Sequence, residues 1–211
     1  MTHPARPSVS VEHLRRDDER GAIACLARAF YDDPLFGYFQ PDLLRQQRRL
    51  PAFFGGTLHD ALRFDATWVA MAGTTPHGVA AWLPPGAYPR SLGRELSLNA
   101  RSAPALLSSR RRLGDAVRLL GAVDARHPKE PHWYLALLGV DPSVQGRGIG
   151  TLLLEPGLAR CDEEGLPAYL ETQKPENVSW YARVGFAVVE EVRLPGHRCP
   201  PMWTLLREPR P

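Results

Sequence analysis

The chain has 211 residues, of which 44% are hydrophobic and 23% charged, and this composition fits one globular domain with a sizeable core. Three cysteines without paired spacing exclude a disulfide framework, and seven histidines without helical pairing indicate no metal site. The longest apolar runs are too short to span a membrane, and residues 1–8 lack the apolar segment of a signal peptide. We therefore expect a single cytoplasmic domain over residues 1–211, with residues 1–8 disordered.

The net charge is +3, and arginine carries nearly all of the positive charge because Lys129 and Lys174 are the only lysines. Arginines cluster at residues 45–49 and 110–112, in segments with helical periodicity. Such clusters usually form a solvated helix face, and nucleic-acid contact is the less expected alternative. We predict no nucleic-acid partner and a monomer or a homodimer.

Hydrophobic periodicity predicts alternating strands and helices in the first half of the chain. The predicted elements are a strand at 9–11, a helix that ends at Asp33-Pro34, a helical tract at 42–62 and a hairpin of strands 67–71 and 79–83. The first helix ends there because the residue before proline is pushed out of the α region. Pro51 and Gly55-Gly56 are candidate breaks in the second helix, and the hairpin loop should have five or six residues.

The second half continues the alternation. Its predicted elements are a helical segment at 90–126 with a break at Pro104, a strand at 132–140, a helix at 149–164, a strand at 167–172, a short helix at 177–184 and a terminal hairpin of strands 186–192 and 202–206. The strand at 132–140 is almost wholly apolar, which indicates a central strand buried on both faces. The segment at 90–126 either covers an acceptor site or only packs.

A glycine-rich turn, Gln-Gly-Arg-Gly-Ile-Gly at residues 145–150, joins this central strand to the next helix. Consecutive backbone N–H groups, together with the helix N-terminus, bind a pyrophosphate without a metal. A P-loop is excluded because no Gly-Lys-Ser/Thr occurs, and the glycine spacing excludes the dinucleotide fingerprint. The turn therefore predicts a site for a phosphate-bearing cofactor, and a turn that only packs is the alternative.

Two motifs together resemble the GNAT superfamily of N-acetyltransferases. The first is Gln145-x-x-Gly148-x-Gly150, and the second is the segment 177–186, with an Asn that caps a short helix, a Tyr one turn later and then Gly-Phe. The resemblance implies one α/β domain with a central mixed, splayed sheet of about seven strands flanked by helices, and a helical insert at about 90–126. It also implies acetyl-CoA as acyl donor and no metal. Residues 127–186 are most similar to the puromycin N-acetyltransferase family within it, whereas residues 40–125 differ.

The resemblance assigns cofactor contacts to the end of the central strand, the turn, the start of the next helix and one asparagine. These residues are Leu138, Gly139, Val140, Gln145, Gly146, Arg147, Gly148, Ile149, Gly150, Thr151 and Asn177. A backbone N–H within 138–140 would stabilise negative charge on the thioester oxygen. Asn177 would bond the pantetheine amide or only cap its own helix.

Acyl transfer from a thioester to an amine needs a proton acceptor and a proton donor. The resemblance implies Tyr181 as the acid for the leaving thiolate, since a phenol with a pKa near 10 is protonated at pH 7. Glu171 is the first candidate base, directly or through water; a role in hydrogen bonding alone is the alternative. Tyr134 and His132 are weaker candidates, which share one face by strand alternation.

Tyr31, Asp32, Asp33 and Tyr134 are the candidate substrate-binding residues. The two aspartates end the first helix and could meet a cationic acceptor, although Asp before Pro is also an ordinary turn residue. Aromatic residues at 36–39 and 53–54 either line an acceptor pocket or belong to the core. We predict acetyl transfer to the primary amine of a small molecule, such as an aminonucleoside. A protein or aminoacyl-tRNA acyltransferase and a non-catalytic acyl-CoA-binding module are the alternatives.

Overall fold

A computed structural model of the protein describes residues 9–106, 112–193 and 199–211. Within these ranges seven strands form one sheet in the order β1-β2-β3-β4-β5-β7-β6. The strands are β1 (Ser10–His13), β2 (Thr67–Ala72), β3 (Thr75–Leu83), β4 (Trp133–Val140), β5 (Ala168–Thr172), β6 (Ala187–Val192) and β7 (Met202–Arg207). The helices are α1 (Glu19–Ala29), α2 (Pro34–Phe39), α3 (Leu43–Ala61), α4 (Leu92–Leu106), α5 (Leu113–Asp124), α6 (Ile149–Glu164) and α7 (Pro175–Arg183). The predicted fold class and helical insert are confirmed, and residues 1–8 lie outside the described ranges.

The two faces of the sheet carry separate hydrophobic cores. On one face Trp82 and Leu170 pack with Leu153 of α6. On the other, Leu26 of α1 and Phe54 of α3 pack against the sheet. Because each face is covered by helices, side chains at successive positions of a central strand belong to different cores. The sheet is therefore the common wall of both.

Strand β4 contains a bulge that changes which side chains face which core. Ala81 of β3 pairs with Leu137, whereas Trp82 pairs with Leu135, so β4 has one extra residue at this point. Leu135 belongs to the α6 core and Leu137 to the α1 core. Burial along β4 alternates between buried and half-buried positions. Strand β4 is thus a central strand with buried side chains on both faces, as expected, although every second position is only half-buried.

Strands β4 and β5 are the parallel pair of the sheet, and they separate soon after they meet. Their pairing is limited to Trp133 with Ala168 and Tyr134 with Tyr169, whereas β5 pairs with β7 along its whole length. Beyond Tyr134 the facing backbone groups of β4 and β5 are left without ladder bonds to each other. The result is the predicted splay, which opens toward the carboxyl ends of both strands.

Several boundaries differ from the expectations for local physical reasons. Helix α1 ends at Ala29, shortly before the expected end near Asp33-Pro34. Asp33 instead caps the next helix, α2, since its Oδ1 accepts from the backbone N of Leu35 at 2.9 Å. Helix α3 continues through Pro51 and the paired glycines, and α4 continues through Pro104. The β2–β3 pairing extends to Ala72 and Thr75, which leaves a turn of only two residues. The predicted breaks and the longer hairpin loop are therefore wrong.

The insert formed by α4 and α5 is attached on two sides. Asp60 of α3 is buried and accepts hydrogen bonds from Arg90 and Arg94, each at 2.8 Å. Leu119 of α5 packs with Val192 of β6, in a cluster that also includes residues of β7 and α2. The insert therefore bridges α3 and the far edge of the sheet.

Candidate active site

A cavity of about 520 Å³ lies where β4 and β5 separate, between the end of α1, the start of α6 and α7. Every predicted cofactor-binding residue except Arg147 lines this cavity. Tyr181, Asp32 and Asp33 also line it, whereas Glu171, Tyr134 and Tyr31 do not. The structure thus brings the two sequence motifs together at one cleft.

The turn at residues 145–150 presents its backbone to this cleft. The six N–H groups of these residues have no hydrogen-bond acceptor among the residues that the structure describes. Gly146 and Gly148 have φ angles of +74° and +83°, which residues with a side chain rarely adopt. With the N-terminus of α6 directly behind it, the turn is a cradle for an anionic group.

The turn is fixed to the strands and helix beside it. Gln145 Nε2 donates to the Val140 carbonyl at 2.9 Å. Asp141 Oδ1 accepts from the backbone N of Ser143 at 3.0 Å and Oδ2 accepts from Arg28 Nε at 2.6 Å. Burial raises the pKa of Asp141, but the hydrogen bonds from Ser143 and Arg28 outweigh it and hold the pKa below its ordinary value. The side chains of Gln145 and Asp141 thus hold the turn to the end of β4 and to α1.

Helix α7 closes the opposite wall of the cleft. Lys174 is its N-cap residue, and Asn177 is its third residue, so the expectation that Asn177 caps this helix is wrong. Instead Asn177 Nδ2 donates to Thr172 Oγ1 at 3.1 Å, across to the end of β5. A Cβ atom at Gly150 would lie 3.2 Å from the Trp180 ring. A side chain at position 150 would therefore make the Trp180 ring move, so Gly150 allows α6 to lie close to α7.

Tyr181 is one of the residues that line the cavity. Its side chain is buried between Trp180, at a ring distance of 4.8 Å, and Phe186, at 5.6 Å. No hydrogen bond to its hydroxyl occurs within the described part of the chain. Burial raises the pKa of Tyr181 above its ordinary value. The hydroxyl is therefore protonated at neutral pH and able to donate.

Comparison with known proteins gives the family. Residues 80–186, which are 107 of the 211, match the acetyltransferase (GNAT) family. The chain belongs to the GNAT acetyltransferase family.

Relatives of this GNAT protein are similar over part or all of its length. An uncharacterised N-acetyltransferase of Schizosaccharomyces pombe is 35% identical over 88 residues, which are 41% of this chain and 36% of that protein. The chain thus matches about a third of the length of that curated relative. One solved structure of similar fold is a Corynebacterium glutamicum protein described as “histone acetyltransferase HPA2 and related acetyltransferase”. Its TM-score is 0.68 at 23% identity, and the match covers 97% of this chain and 98% of that one. A GNAT family acetyltransferase from Brucella melitensis, solved in complex with acetyl-CoA, has a TM-score of 0.51 at 16% identity, with coverage of 98% and 91%.

The mouth of the cleft in this GNAT acetyltransferase is crossed by an ion pair. Lys174 Nζ lies 2.6 Å from Asp32 Oδ1, which joins the segment after α1 to the start of α7. Asp33 is committed to the cap of α2, and burial raises its pKa. Tyr31 lies outside the cavity, and its backbone carbonyl accepts from Gln46 Nε2 at 2.7 Å. Of the three candidate acceptor contacts in this segment, only Asp32 offers an exposed carboxylate to the cleft.

Glu171 and Tyr134 lie outside the cavity, in a buried polar cluster on the α1 side of β4 and β5. The cluster also contains His127 and Tyr88, whose ring centroids are 3.9 Å apart, and Tyr169. Sequence reasoning identified Glu171 and Tyr134, and strand alternation from Glu171 would have added Tyr169. No local pattern marks His127 or Tyr88, because each reaches the cluster from a loop.

Two further observations concern other classes of site. None of the helices in the described ranges is both long and apolar enough to cross a membrane. Nor do the described residues contain a group of three or more His, Cys, Asp or Glu side chains arranged to hold a metal ion. Arg147 lies exposed on the outside of the turn.

Proposed function

We propose that this GNAT acetyltransferase transfers an acetyl group from acetyl-CoA to the primary amine of a small molecule. The observation that carries the proposal is the row of six N–H groups at residues 145–150, at the point where β4 and β5 separate. A pyrophosphate is the anion that such a turn and helix N-terminus accommodate. The open backbone edges of β4 and β5 suit the amides of a pantetheine arm.

The residues of the cleft fit acetyl-CoA without a metal. When bound, acetyl-CoA supplies an acyl group activated as a thioester. Residues 145–150 would hold its pyrophosphate, and Asn177 lies beside the cleft with an amide that can bond the arm. Backbone N–H groups within 138–140 would stabilise negative charge on the carbonyl oxygen.

Tyr181 and Glu171 are the side chains proposed to move protons. Tyr181 would donate to the leaving thiolate, which fits a buried phenol whose hydroxyl has no other partner within the described ranges and whose pKa is raised by burial. Glu171 would take the proton of the amine. This matters most for an alkylamine, which is almost wholly protonated at pH 7 with a pKa near 10.4.

A small acceptor is favoured because the insert covers the face of the sheet that carries Glu171. Tyr88, in the segment before α4, donates to Asp124 Oδ1 at the end of α5 at 2.8 Å. Arg126 pairs with Glu190 of β6 at 2.9 Å. Both ends of the insert are thereby fastened next to the cluster that contains Glu171, and this arrangement favours a small acceptor. A folded protein substrate would need an open surface there.

The choice of acceptors for a first test follows from the sequence similarity of residues 127–186 to the puromycin N-acetyltransferase family. The assay is thiol release from acetyl-CoA with puromycin and with a panel of primary amines, in the wild type and in Glu171→Gln. We expect turnover of at least one amine, with kcat/KM reduced about 100-fold or more in Glu171→Gln. Turnover of peptides or aminoacyl-tRNA alone would contradict a small acceptor. Tight acetyl-CoA binding with no turnover of any amine would contradict the enzymatic proposal.

A further inference from the structure

A chain of three buried side chains lies behind the candidate active site. His132, just before β4, contacts His127, and His127 faces Glu171 of β5. The side chains of His127 and Glu171 are only 5% and 8% exposed. Among buried polar atoms of the described residues, His127 Nδ1 and Glu171 Oε1 have no hydrogen-bond partner. Buried polar atoms without partners are uncommon in proteins and call for a physical explanation.

The hydrogen bonds of His132 determine which of its ring nitrogens carries the proton. Its Nδ1 lies 2.7 Å from the Glu130 carbonyl, which can only accept, so Nδ1 carries the proton. Burial lowers the pKa of His132, which favours its neutral form. Its Nε2 is then an acceptor, and it lies 2.9 Å from His127 Nε2. His127 must therefore donate from Nε2.

When neutral His127 carries its proton on Nε2, its Nδ1 has none. The lone pair of Nδ1 then points toward Glu171. The distance from His127 Nδ1 to Glu171 Oε1 is 3.6 Å. Two acceptors face each other across this gap, and neither of these two atoms has a hydrogen-bond partner in the part of the chain that the structure describes. The hydroxyls of Tyr134 and Tyr169 also interact with the Glu171 carboxylate, which raises the pKa of both tyrosines after burial does. One proton placed between them would satisfy both atoms, because either could hold it and the other could accept the hydrogen bond. Catalytic hydrogen bonds are often longer than 3.2 Å in the absence of substrate.

The tyrosines around His127 and Glu171 do not compete with these two side chains as proton acceptors. Tyr88, Tyr134 and Tyr169 surround it, and burial, followed by the negative charge of Asp124 or Glu171, raises their pKa values, so all three are protonated at neutral pH. Arg90, Asp124, Arg126 and Glu130 act electrostatically on side chains of this cluster. Two of these, Asp124 and Arg126, already bind Tyr88 and Glu190 respectively.

We propose that Glu171 and His127 act as one proton-accepting unit, and that His132 is a positioning residue that fixes the His127 tautomer. This inference rests on the proposed function, in which Glu171 is the base. The N–H bond of the amine breaks, and its electron pair stays on nitrogen. The proton forms an O–H bond with Glu171 and a hydrogen bond to His127 Nδ1, or passes to Nδ1. It returns to water after the product leaves, and no electron is transferred.

The kinetic test is the pH dependence of kcat/KM with an amine that the wild type acetylates. In His127→Phe the proton on Glu171 loses its second partner, so the acidic limb of the profile should move at least one pH unit lower. A weaker base also transfers the proton more slowly, so the plateau should fall about tenfold. His59→Gln is the matched control, since His59 also faces a carboxylate, that of Glu19 at 3.7 Å, but packs between α1 and α3. We expect its profile to equal that of the wild type.

A merely structural role for His127 would lower the plateau without moving the limb, and that result would overturn the inference. A readout independent of activity is the ring ¹⁵N chemical shift of each histidine during an acid titration. We expect His127 Nδ1 to carry no proton at high pH and to gain one as the pH falls, at a pH that changes in Glu171→Gln. A Nδ1 that is protonated at every pH would overturn the inference even if the enzyme acetylates amines or His127→Phe does not fold.

Discussion

Tyr181→Phe removes one oxygen atom from the wall of the cleft. The ring of Tyr181 is only 6% exposed, and its packing against Trp180 and Phe186 does not involve the hydroxyl. Since that hydroxyl has no partner within the described ranges, its loss leaves no other polar group unsatisfied. We therefore expect the free energy of unfolding to change by less than about 1 kcal/mol.

The same substitution should reduce turnover, because the leaving thiolate would have to take its proton from water. We expect kcat to fall roughly 10-fold to 100-fold, which corresponds to about 1.4 to 2.7 kcal/mol of activation free energy. Affinity for acetyl-CoA should stay nearly constant, since the backbone of residues 145–150 supplies the main contacts. Burial raises the pKa of Tyr181, so its loss of a proton should cause no fall in wild-type kcat below about pH 10.

The assay combines thiol release at saturating amine, calorimetric titration with acetyl-CoA and urea unfolding. Tyr38→Phe is the matched control, because its hydroxyl donates to Asp115 at 2.7 Å, between α2 and α5. This control should lose about 1 kcal/mol of stability and keep its kcat. An unchanged kcat in Tyr181→Phe would refute the acid role, and a large loss of stability would refute the description of its hydroxyl.

Two further substitutions test the cradle and the attachment of the insert. Gly148→Ala places a side chain on a residue with positive φ, which adds strain of about 1 to 2 kcal/mol. The added Cβ atom meets no protein atom and points into open space. Calorimetry should therefore show acetyl-CoA affinity at least tenfold lower. The control is Gly165→Ala, because Gly165 at the other end of α6 also has a positive φ, of +64°. This variant should keep its affinity for acetyl-CoA. Unchanged acetyl-CoA affinity in Gly148→Ala would contradict the cradle. Burial raises the pKa of Asp60, but hydrogen bonds from Arg94 and Arg90 outweigh this effect and hold the pKa below its ordinary value. Ionised Asp60 therefore stabilises the fold at neutral pH, and this stabilisation is lost progressively as the pH falls below about 4. Asp60→Asn should therefore lower the free energy of unfolding in urea by about 3 kcal/mol at pH 7 and by less at pH 3, and an equal loss at both would contradict the pairing.

The cleft could be predicted because its signals are local. The turn before α6 needs two residues with positive φ, and glycine is the residue that adopts this conformation freely, so the requirement is visible in the sequence at Gly146 and Gly148. Gly165, which ends α6 with a positive φ, is an equally local signal. These features fix the position of the cradle even though the sequence says little about the cavity around it.

Other features depend on contacts that no short segment encodes. The pair Asp33-Pro34 fits the end of one helix and the start of another, and the structure uses it to start α2. Asn177 has the composition of a cap, but the Thr172 hydroxyl at the end of β5 is a partner that only the folded sheet brings near. His127 comes to Glu171 through the course of a whole loop. Local propensity cannot decide such cases, because the deciding partner is distant in sequence.

The position of β7 has a consequence for synthesis on the ribosome. β7 is the last strand of the sheet in chain order, yet it lies between β5 and β6 and pairs with both. Until it emerges, the outer edge of β5 presents unpaired backbone groups, which are a template for association with other nascent chains. Arg207, in this late strand, then binds Asp162 of α6 with two hydrogen bonds of 2.8 Å. The helix behind the cradle thus gains this anchor only after β7 has been synthesised, so α6 and the outer edge of β5 depend on the same late strand.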